Sequence, residues 1–459
     1  MKNKKGKILV IGAATTGIPV IKELYRMGYK VILNDIKSEE ELNDCLKELD
    51  RIDIDIVSGS HPIILAKKCD YIVVSPGVPM DLPLISEAHK LGKEVISEIE
   101  LAYRNTDTPI VAITGTNGKT TTTSLLGEIV KESKRNTFVT GNIGYPMIAS
   151  INEAKPEGLF VLELSSYQLE SIIKFKPIIS TILNITPDHL NRHKTMENYI
   201  NIKSKIFQNQ TKEDYTILNK DDSIVYSLKS KPKSKVLLFS RKEILSEGAF
   251  VEDGFIKVII NDKRNTIIHI EDLNILGKHN LENALAAILM AYCLNIEPGI
   301  IRKVLKKFKG VEHRIEYVCE IDGVTYYNDS KGTNPVSSIK AIETINRPIV
   351  LIAGGMDENI DFSIFVKSLK DRVKAMILIG ETSDIIKKEA LTHGFENIYK
   401  EKSLEEAVYR AKELSGRGDA VLLSPACASW DMFKNFEERG FIFKNTVMGL
   451  RRDEDGNKD

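Results

Sequence analysis

The segment Thr114-Gly115-Thr116-Asn117-Gly118-Lys119-Thr120 follows the apolar run IVAIT and precedes TTTSLLGEIVK, whose pattern is helical. That order of buried strand, glycine turn and helix commits the middle of the chain to a parallel α/β sheet carrying a phosphate-binding loop. The glycines let backbone N–H groups turn toward a polyphosphate. The Lys119 ammonium can neutralise outer phosphates, and the Thr120 hydroxyl can ligate Mg²⁺. The full form of such a loop has four residues between its glycines. Here two residues separate Gly115 from Gly118, and Ile113 stands where the first glycine belongs. An ordinary strand-to-helix turn is the plain alternative.

Around this loop the 459 residues divide into three blocks, within the two to four domains expected at ~100–200 residues each. Residues 1–105 alternate short β-like runs (ILVIG, KVILND, YIVVSP) with helical patterns, as a parallel sheet requires. The polar stretch Asn105 to Pro109 reads as a linker. Residues 106–309 hold the loop and two further β-like runs, FVLELSS and STILNIT. Within that block, residues 214–275 carry short strands, many lysines and the turn pair Asp253-Gly254, which predicts an antiparallel excursion. Helices are expected from Asn280 to about Asn295 and from Glu297 to Phe308. Residues 310–459 again look doubly wound, with RPIVLIAGG, KAMILIG and DAVLLSP as buried strands, and the tail RRDEDGNKD is expected to fray.

Composition narrows the class. Lys plus Arg and Asp plus Glu are 64 each, so no global basic field points to nucleic acid or an anionic membrane. Five scattered cysteines without a CxxC pair argue against a disulfide framework or thiolate zinc site and fit a reducing cytosol. The N-terminal lysines and apolar residues superficially mimic a secretory leader. However, KILVIGAA reads better as a first strand meeting a glycine turn, and no cleavage region follows. No run approaches the ~20 apolar residues that span a bilayer. A soluble, cytoplasmic protein is expected.

A Mg²⁺ ion beside the loop needs oxygen ligands. Glu163 ends the run FVLELSS, where a parallel sheet would deliver it to the loop's edge, although such a carboxylate is as often a plain surface residue. Asp188, His189 and His193 in TPDHLNRH follow the next strand. A lone histidine is more often structural, so His189 is a candidate only because the edge is shared.

TGTNGKTTT resembles the shortened phosphate loop of the Mur ligases and their folylpolyglutamate synthase relatives. VLELSSYQLE, NITPDHLNRH, GKHNLENALAA, EHRIEYV, YYNDSKGTNP and SPACASWDMFKNFEERG are similar to further Mur ligase blocks, in the family's order. SSYQLE and SPACASWD are similar to the member that adds D-glutamate. The resemblance spans residue 8 to about 445. It implies an α/β chain of three domains: a Rossmann-like N-terminal one (1–105) for a UDP-sugar, a central P-loop-type ATPase (106–309) and a Rossmann-like C-terminal one (310–459) for the amino acid. It also implies a monomeric ligase of peptidoglycan precursor synthesis. ATP would phosphorylate the carboxylate of UDP-N-acetylmuramoyl-L-alanine, and the amine of D-glutamate would attack the acyl phosphate.

Residue by residue, the resemblance places Gly115, Thr116, Asn117, Gly118, Lys119, Thr120 and Thr121 on the nucleotide phosphates, with Lys119 catalytic. Thr120 and Glu163 would hold one Mg²⁺, and His189 would help hold a second. Lys203 matches a lysine that becomes carbamylated, turning an ammonium into an anion that supports this metal, with neighbouring Lys205 as the competing position. Without the family, Lys203 is a surface lysine on an amphipathic helix. Asn280 and Asn283 would face the adenine nucleotide, together with Arg314, Asp329 and Lys331. Thr15, Thr16, Asp35, Lys37, Ser75, Pro76 and Gly77 match positions around the uridine diphosphate, and Asn142 matches the muramoyl end. Thr333, Ser429 and Phe436 match amino-acid contacts, with Trp430 among them.

Two positions depart from the family pattern. Ala14 stands in the first glycine loop where glycine is usual, which costs room near the diphosphate. Glu358, in GGMDENIDF, occupies a position where Lys or Arg usually pairs with D-glutamate. A carboxylate there would repel that substrate by about 1–4 kcal/mol at ~4 Å, for effective dielectrics of 80 down to 20. Glu358 therefore favours the first alternative, another Mur-type or folylpolyglutamate-type ligase, adding a different amino acid or adding glutamate to folate, against which stand SSYQLE and SPACASWD. GAATTG with Asp35 suggests a second, an NAD-dependent oxidoreductase, but its fingerprint is broken at Ala14 and leaves the phosphate loop unexplained. A catalytically silent member is disfavoured, because Lys119, Glu163, His189 and Lys203 are all present.

Overall fold

The computed structural model describes residues 6–275, 277–370 and 372–455. Among them the strands form three sheets, one in each block. In the first, β1 (Lys7–Ile11), β2 (Lys30–Asn34), β3 (Asp55–Val57), β4 (Tyr71–Val74) and β5 (Val95–Ser97) run parallel in the order β3-β2-β1-β4-β5. β1 and β2 bury nearly every side chain, as strands covered by helices on both faces must. Gly17 opens the helix Gly17–Arg26 at a point where a Cβ would collide with the Gly12 carbonyl, so the helix packs directly onto the loop after β1.

The second sheet contains β6 (Ile110–Thr114), β7 (Thr137–Gly141), β8 (Leu159–Glu163), β9 (Ile179–Ile182), β10 (Tyr215–Asn219), β11 (Lys235–Ser240), β12 (Gly248–Glu252), β13 (Phe255–Ile260) and β14 (Lys263–His269). Its order is β14-β13-β12-β11-β10-β9-β6-β8-β7. The expected antiparallel excursion over 214–275 is therefore corrected: β10, β11 and β12 extend the sheet in parallel, and only β12-β13-β14 run antiparallel. The helices Met196–Ser204 and Ser223–Ser227 supply the crossovers into β10 and β11. The hairpins of this sheet turn at Asp253-Gly254 and Asn261-Asp262, both in left-handed conformations.

The third sheet, β15 (Glu316–Ile321), β16 (Val324–Asn328), β17 (Ile349–Ala353), β18 (Val373–Leu378), β19 (Ile398–Lys400) and β20 (Ala420–Leu423), is ordered β15-β16-β20-β17-β18-β19 and is parallel except at β15. The tail expected to fray instead continues the helix Phe436–Asp455, and 456–459 lie outside the described residues. The two helices expected before this block span Lys278–Cys293 and Pro298–Leu305. The chain forms two compact units: one runs to Asp272 and resumes over Glu282–Lys306, the other joins Leu273–Leu281 to the residues after Lys307. No helix among the described residues is long and apolar enough to cross a membrane.

Within the first unit, two buried carboxylates of the helix Glu98–Tyr103 meet the central block. Glu100 accepts the consecutive N–H groups of Ile173, Lys174 and Phe175 at 2.9–3.0 Å and pairs with Arg104 at 2.7 Å. Glu98 accepts only the Ile148 N–H, at 2.6 Å, and its second oxygen has no partner. Burial pushes its carboxyl from 4.5 up to about 7. Between those values the unfolded chain releases the proton while the folded chain keeps it, so stability falls as pH rises and stays lowered above pH 7. A glutamine preserves the neutral shape without titrating. Glu98→Gln should therefore gain about 3 kcal/mol on the parent chain at pH 8 and under about 1 kcal/mol at pH 5, read from urea unfolding. Equal differences at the two pH values would exclude this account.

Candidate active site

The parallel pairing of β6 with β8 sets Ile113 beside Glu163 and brings the phosphate loop to the same sheet edge. Thr114 donates from its hydroxyl to the Leu164 carbonyl at 2.7 Å, fastening the two strand ends. Gly118 caps the helix Lys119–Glu132 in the left-handed region (φ +85°), and a Cβ there would collide with the Asn283 amide. Asn184, just past β9, closes the loop from the other side. Its carbonyl accepts from Thr116 N–H, its side-chain oxygen from Asn117 N–H, and its amide donates to the Asn117 carbonyl, each at 2.9 Å. Sequence reasoning missed Asn184, whose only signal was its place after a strand neighbouring the loop.

Lys119 donates to the Gly115 and Thr116 carbonyls at 2.9 and 2.8 Å. Lys203, reached from the helix Met196–Ser204, donates to the same Gly115 carbonyl at 2.8 Å. Lys203 is 1% exposed and lies over the Tyr199 ring. Burial holds its pKa well below the ordinary lysine value; Lys119 adds to that depression and Asp188 opposes it. Lys205 instead donates to the Glu170 carbonyl. The structure thus separates the two lysines and sets Lys203 against the phosphate loop. Thr120 and Thr121 occupy the first turn behind the loop, Thr120 half-buried and Thr121 buried.

Glu163 is buried, and one of its oxygens accepts from the Asn142 amide at 2.8 Å. The other is buried without a partner. An orphaned carboxylate oxygen at the same sheet edge as a phosphate loop suits a hard cation that takes its remaining ligands from phosphate and water. Among the described residues no group of three or more His, Cys, Asp or Glu gathers around a metal-sized space, so Glu163 would be the principal protein carboxylate of such a site. His189 has positive φ (+53°), its Nε2 stands 3.5 Å from Asp188, and its Nδ1 is 3.1 Å from the Tyr167 hydroxyl. Burial lowers its pKa, opposed by Asp188 and reinforced by Lys119 and Lys203. His193 is buried and bonds Ser166 at 2.9 Å, the structural role a lone histidine more often has.

In the first block, Asp35 accepts from Ala13 N–H at 2.7 Å and from Lys37 N–H at 3.0 Å. Ser75 donates to the Gly12 carbonyl at 3.1 Å. Thr15 and Lys37 are exposed, and Thr16 stands at the N-terminal end of the following helix without a side-chain bond to it. Ala14 is also exposed and lies outside the left-handed region, so its methyl strains nothing in the loop. A cleft of about 890 Å³ separates Pro76, Gly77 and Met80 from Tyr167, Arg192 and Lys194.

In the second unit, Asp329 is buried, accepts from Ile315 N–H and Ser424, and is pushed up to about 6 by burial against the pull of Arg314. Lys331 lies over the Phe436 ring, and Thr333 N–H donates to the Lys331 carbonyl. Ser429 is buried, but Trp430 is 65% exposed and is not packed among its neighbours as a core residue would be. Glu358 is exposed on the loop whose Met356 N–H bonds the Ala428 carbonyl, next to Ser429. Arg439 went unnoticed in the sequence. Fully buried, it donates to Ser330 and to the Ala428 and Cys427 carbonyls, pinning the SPACAS segment. Asn280 belongs to this unit and Asn283 to the first, because the boundary passes through their shared helix.

Family models match the chain in three consecutive stretches: a Mur ligase MurD-like N-terminal domain over 6–97, a Mur ligase middle domain over 113–291 and a Mur ligase glutamate ligase domain over 313–427. The UDP-N-acetylmuramoylalanine–D-glutamate ligase of Caldanaerobacter subterraneus subsp. tengcongensis is 50% identical over 454 residues, covering 98% of this chain and 100% of the relative. The ligase of the same name from Clostridioides difficile is 50% identical over 453 residues, with the same coverage. Among solved structures, UDP-N-acetylmuramate-alanine ligase MurC from Thermotoga maritima superposes with a TM-score of 0.60 at 20% identity, covering 97% of this chain and 100% of that one. MurF from Acinetobacter baumannii gives 0.61 at 16%, covering 96% and 93%. At those identities the structures speak to the fold alone. The relatives matched along the full length, and the three domain models in order, make this chain a member of the Mur ligase family.

Proposed function

We infer that this chain is the ATP-dependent, ADP-forming ligase that adds D-glutamate to UDP-N-acetylmuramoyl-L-alanine in peptidoglycan precursor synthesis. The observation that carries this reading is the whole-length identity of about 50% to curated D-glutamate ligases. Residues 1–105 hold the UDP-sugar, 106–309 the ATP and 310–459 the amino acid. The enzyme works in the cytoplasm as a monomer.

The chemistry brings anionic groups together, a carboxylate and a triphosphate, so the chain's task is to neutralise and align them. Gly115 to Thr121 would cradle the phosphates, and Lys119 would move from its loop carbonyls onto the transferring phosphoryl. Thr120 and Glu163 would hold one Mg²⁺, and His189 with carbamylated Lys203 a second. Bound there, Mg²⁺ supplies compensation for charge on the phosphoryl oxygens. Lys203 suits carbamylation because burial favours its neutral amine, the form that attacks CO₂. Asn280, Asn283, Arg314, Asp329 and Lys331 are assigned to the nucleotide by the family pattern. Thr15, Thr16, Asp35, Lys37 and Ser75 to Gly77 are assigned to the uridine diphosphate, and Asn142 to the muramoyl end. Thr333, Ser429, Trp430 and Phe436 are assigned to the amino acid, whose amine would attack the acyl phosphate.

ADP release should require ATP, Mg²⁺, UDP-N-acetylmuramoyl-L-alanine and D-glutamate together. Turnover that ignores the sugar nucleotide would refute the substrate assignment. Glu358 favours a second reading, another amino acid as acceptor, because a carboxylate at a position where the family usually carries Lys or Arg would repel the two carboxylates of D-glutamate. The D-glutamate reading predicts that Glu358→Lys lowers KM for D-glutamate severalfold with kcat nearly unchanged. If a different D- or L-amino acid outpaces D-glutamate in the parent chain, the second reading replaces the first.

A further inference from the structure

We propose that Tyr167 is a positioning residue for His189, its phenolic oxygen accepting the Nδ1–H of the imidazole and thereby leaving the Nε2 lone pair for a cation. The proposal rests on the reading of His189 as a Mg²⁺ ligand. The Tyr167 hydroxyl is 3.1 Å from Nδ1, and the ring centroids are 5.0 Å apart. A neutral imidazole carries one N–H. Were the phenol the donor, the proton would sit on Nε2 and block ligation there. With the phenol as acceptor, Nε2 presents a lone pair 3.5 Å from the Asp188 carboxylate, a repulsion that a cation between the two relieves; without the cation the carboxylate favours the proton on Nε2, so the phenol takes up the Nδ1–H as the cation binds. Metal-ligating histidines commonly fix their tautomer through such an outer partner.

Two features show that the contact is built. The His189 side chain is 45% exposed, so its own packing leaves the ring free to turn. Tyr167, by contrast, is clamped: the Arg192 guanidinium lies 5.4 Å from its ring centroid and His193 stacks at 5.7 Å. Arg192 is itself held by Glu170 at 2.6 and 3.2 Å and donates to the Val78 carbonyl at 2.7 Å. That last bond links the clamp to the loop after β4, the loop assigned to the sugar nucleotide. Phenylalanine would keep the ring and its stacking and remove only the oxygen.

The test uses Mn²⁺ as a spectroscopic probe, titrated by electron paramagnetic resonance into the full chain with ADP bound. Tyr167→Phe should weaken Mn²⁺ about tenfold. The Mg²⁺ concentration for half-maximal activity should rise by a similar factor, with kcat at saturating Mg²⁺ and the melting temperature unchanged. In Tyr167→Phe/His189→Ala the loss should equal that of His189→Ala alone, because Tyr167 acts only through the histidine. If Tyr167→Phe binds Mn²⁺ like the parent chain while His189→Ala is weakened, the positioning role is wrong and the ligand reading stands. If neither variant is weakened, His189 is not a ligand and both fall. Additive losses in the double variant would also overturn the proposal.

Discussion

Two ammonium groups, from Lys119 and Lys203, donate to one carbonyl oxygen, that of Gly115. Like charges at that separation repel, and burial removes the water that would screen them. The arrangement persists because the phosphate loop offers its carbonyls on one side while the buried Lys203 yields toward its neutral form. The other side chains at the sheet edge are arranged around those two lysines. Asn184 fastens the loop from the other side, Glu163 keeps an unsatisfied carboxylate oxygen nearby, and Asp188 tempers the field around His189. A polyphosphate and its cation complete such a site in charge as well as in shape. A polyphosphate alone would meet Glu163 as a repulsive neighbour, which a divalent cation between them would relieve.

The loop was legible because its function is local. Strand, glycines, lysine and threonine are consecutive, and their order carries the chemistry. Glu163 was half legible, since a parallel sheet delivers strand ends to one edge, but β8 had to pair with β6 for the inference to hold. Lys203 was opaque to any pattern short of the family's, because the helix Met196–Ser204 has charged and polar residues on several sides. Which of its lysines is buried depends on what the helix packs against. Arg439 shows the same limit in reverse: FKNFEERG reads as a charged surface, yet the guanidinium is enclosed and spends its donors on three backbone carbonyls and Ser330. The parallel extension through β10 to β12 was missed for a related reason. Strand direction is set by crossovers and partners far away in sequence, while the lysine-rich composition and a visible turn pair describe only the hairpin at its end.

The two departures from the family pattern turn out to be physically unlike. Ala14 is exposed, with ordinary backbone, so its methyl meets solvent in a loop that already folds. Its cost is confined to whatever approaches the loop from outside. Glu358 is also exposed, but its effect reaches beyond contact, because a charge acts on an incoming anion through space and solvent. A steric departure can be absorbed by a small shift, whereas an electrostatic one needs a compensating charge.

The pair Glu98 and Glu100 shows how narrowly burial of charge is tolerated in this fold. Both lie on one short helix and both are buried. Glu100 spends its oxygens on three consecutive N–H groups and Arg104, so its buried polar atoms are satisfied. Glu98 has a single N–H and yields its charge instead, its carboxyl rising to about 7. The same choice faces Lys203 near the phosphate loop, with Lys119 in place of a partner. At Glu98 the neutral form costs stability and serves no visible chemistry. At Lys203 the same pressure favours a neutral amine, the form that the proposed carbamylation would need.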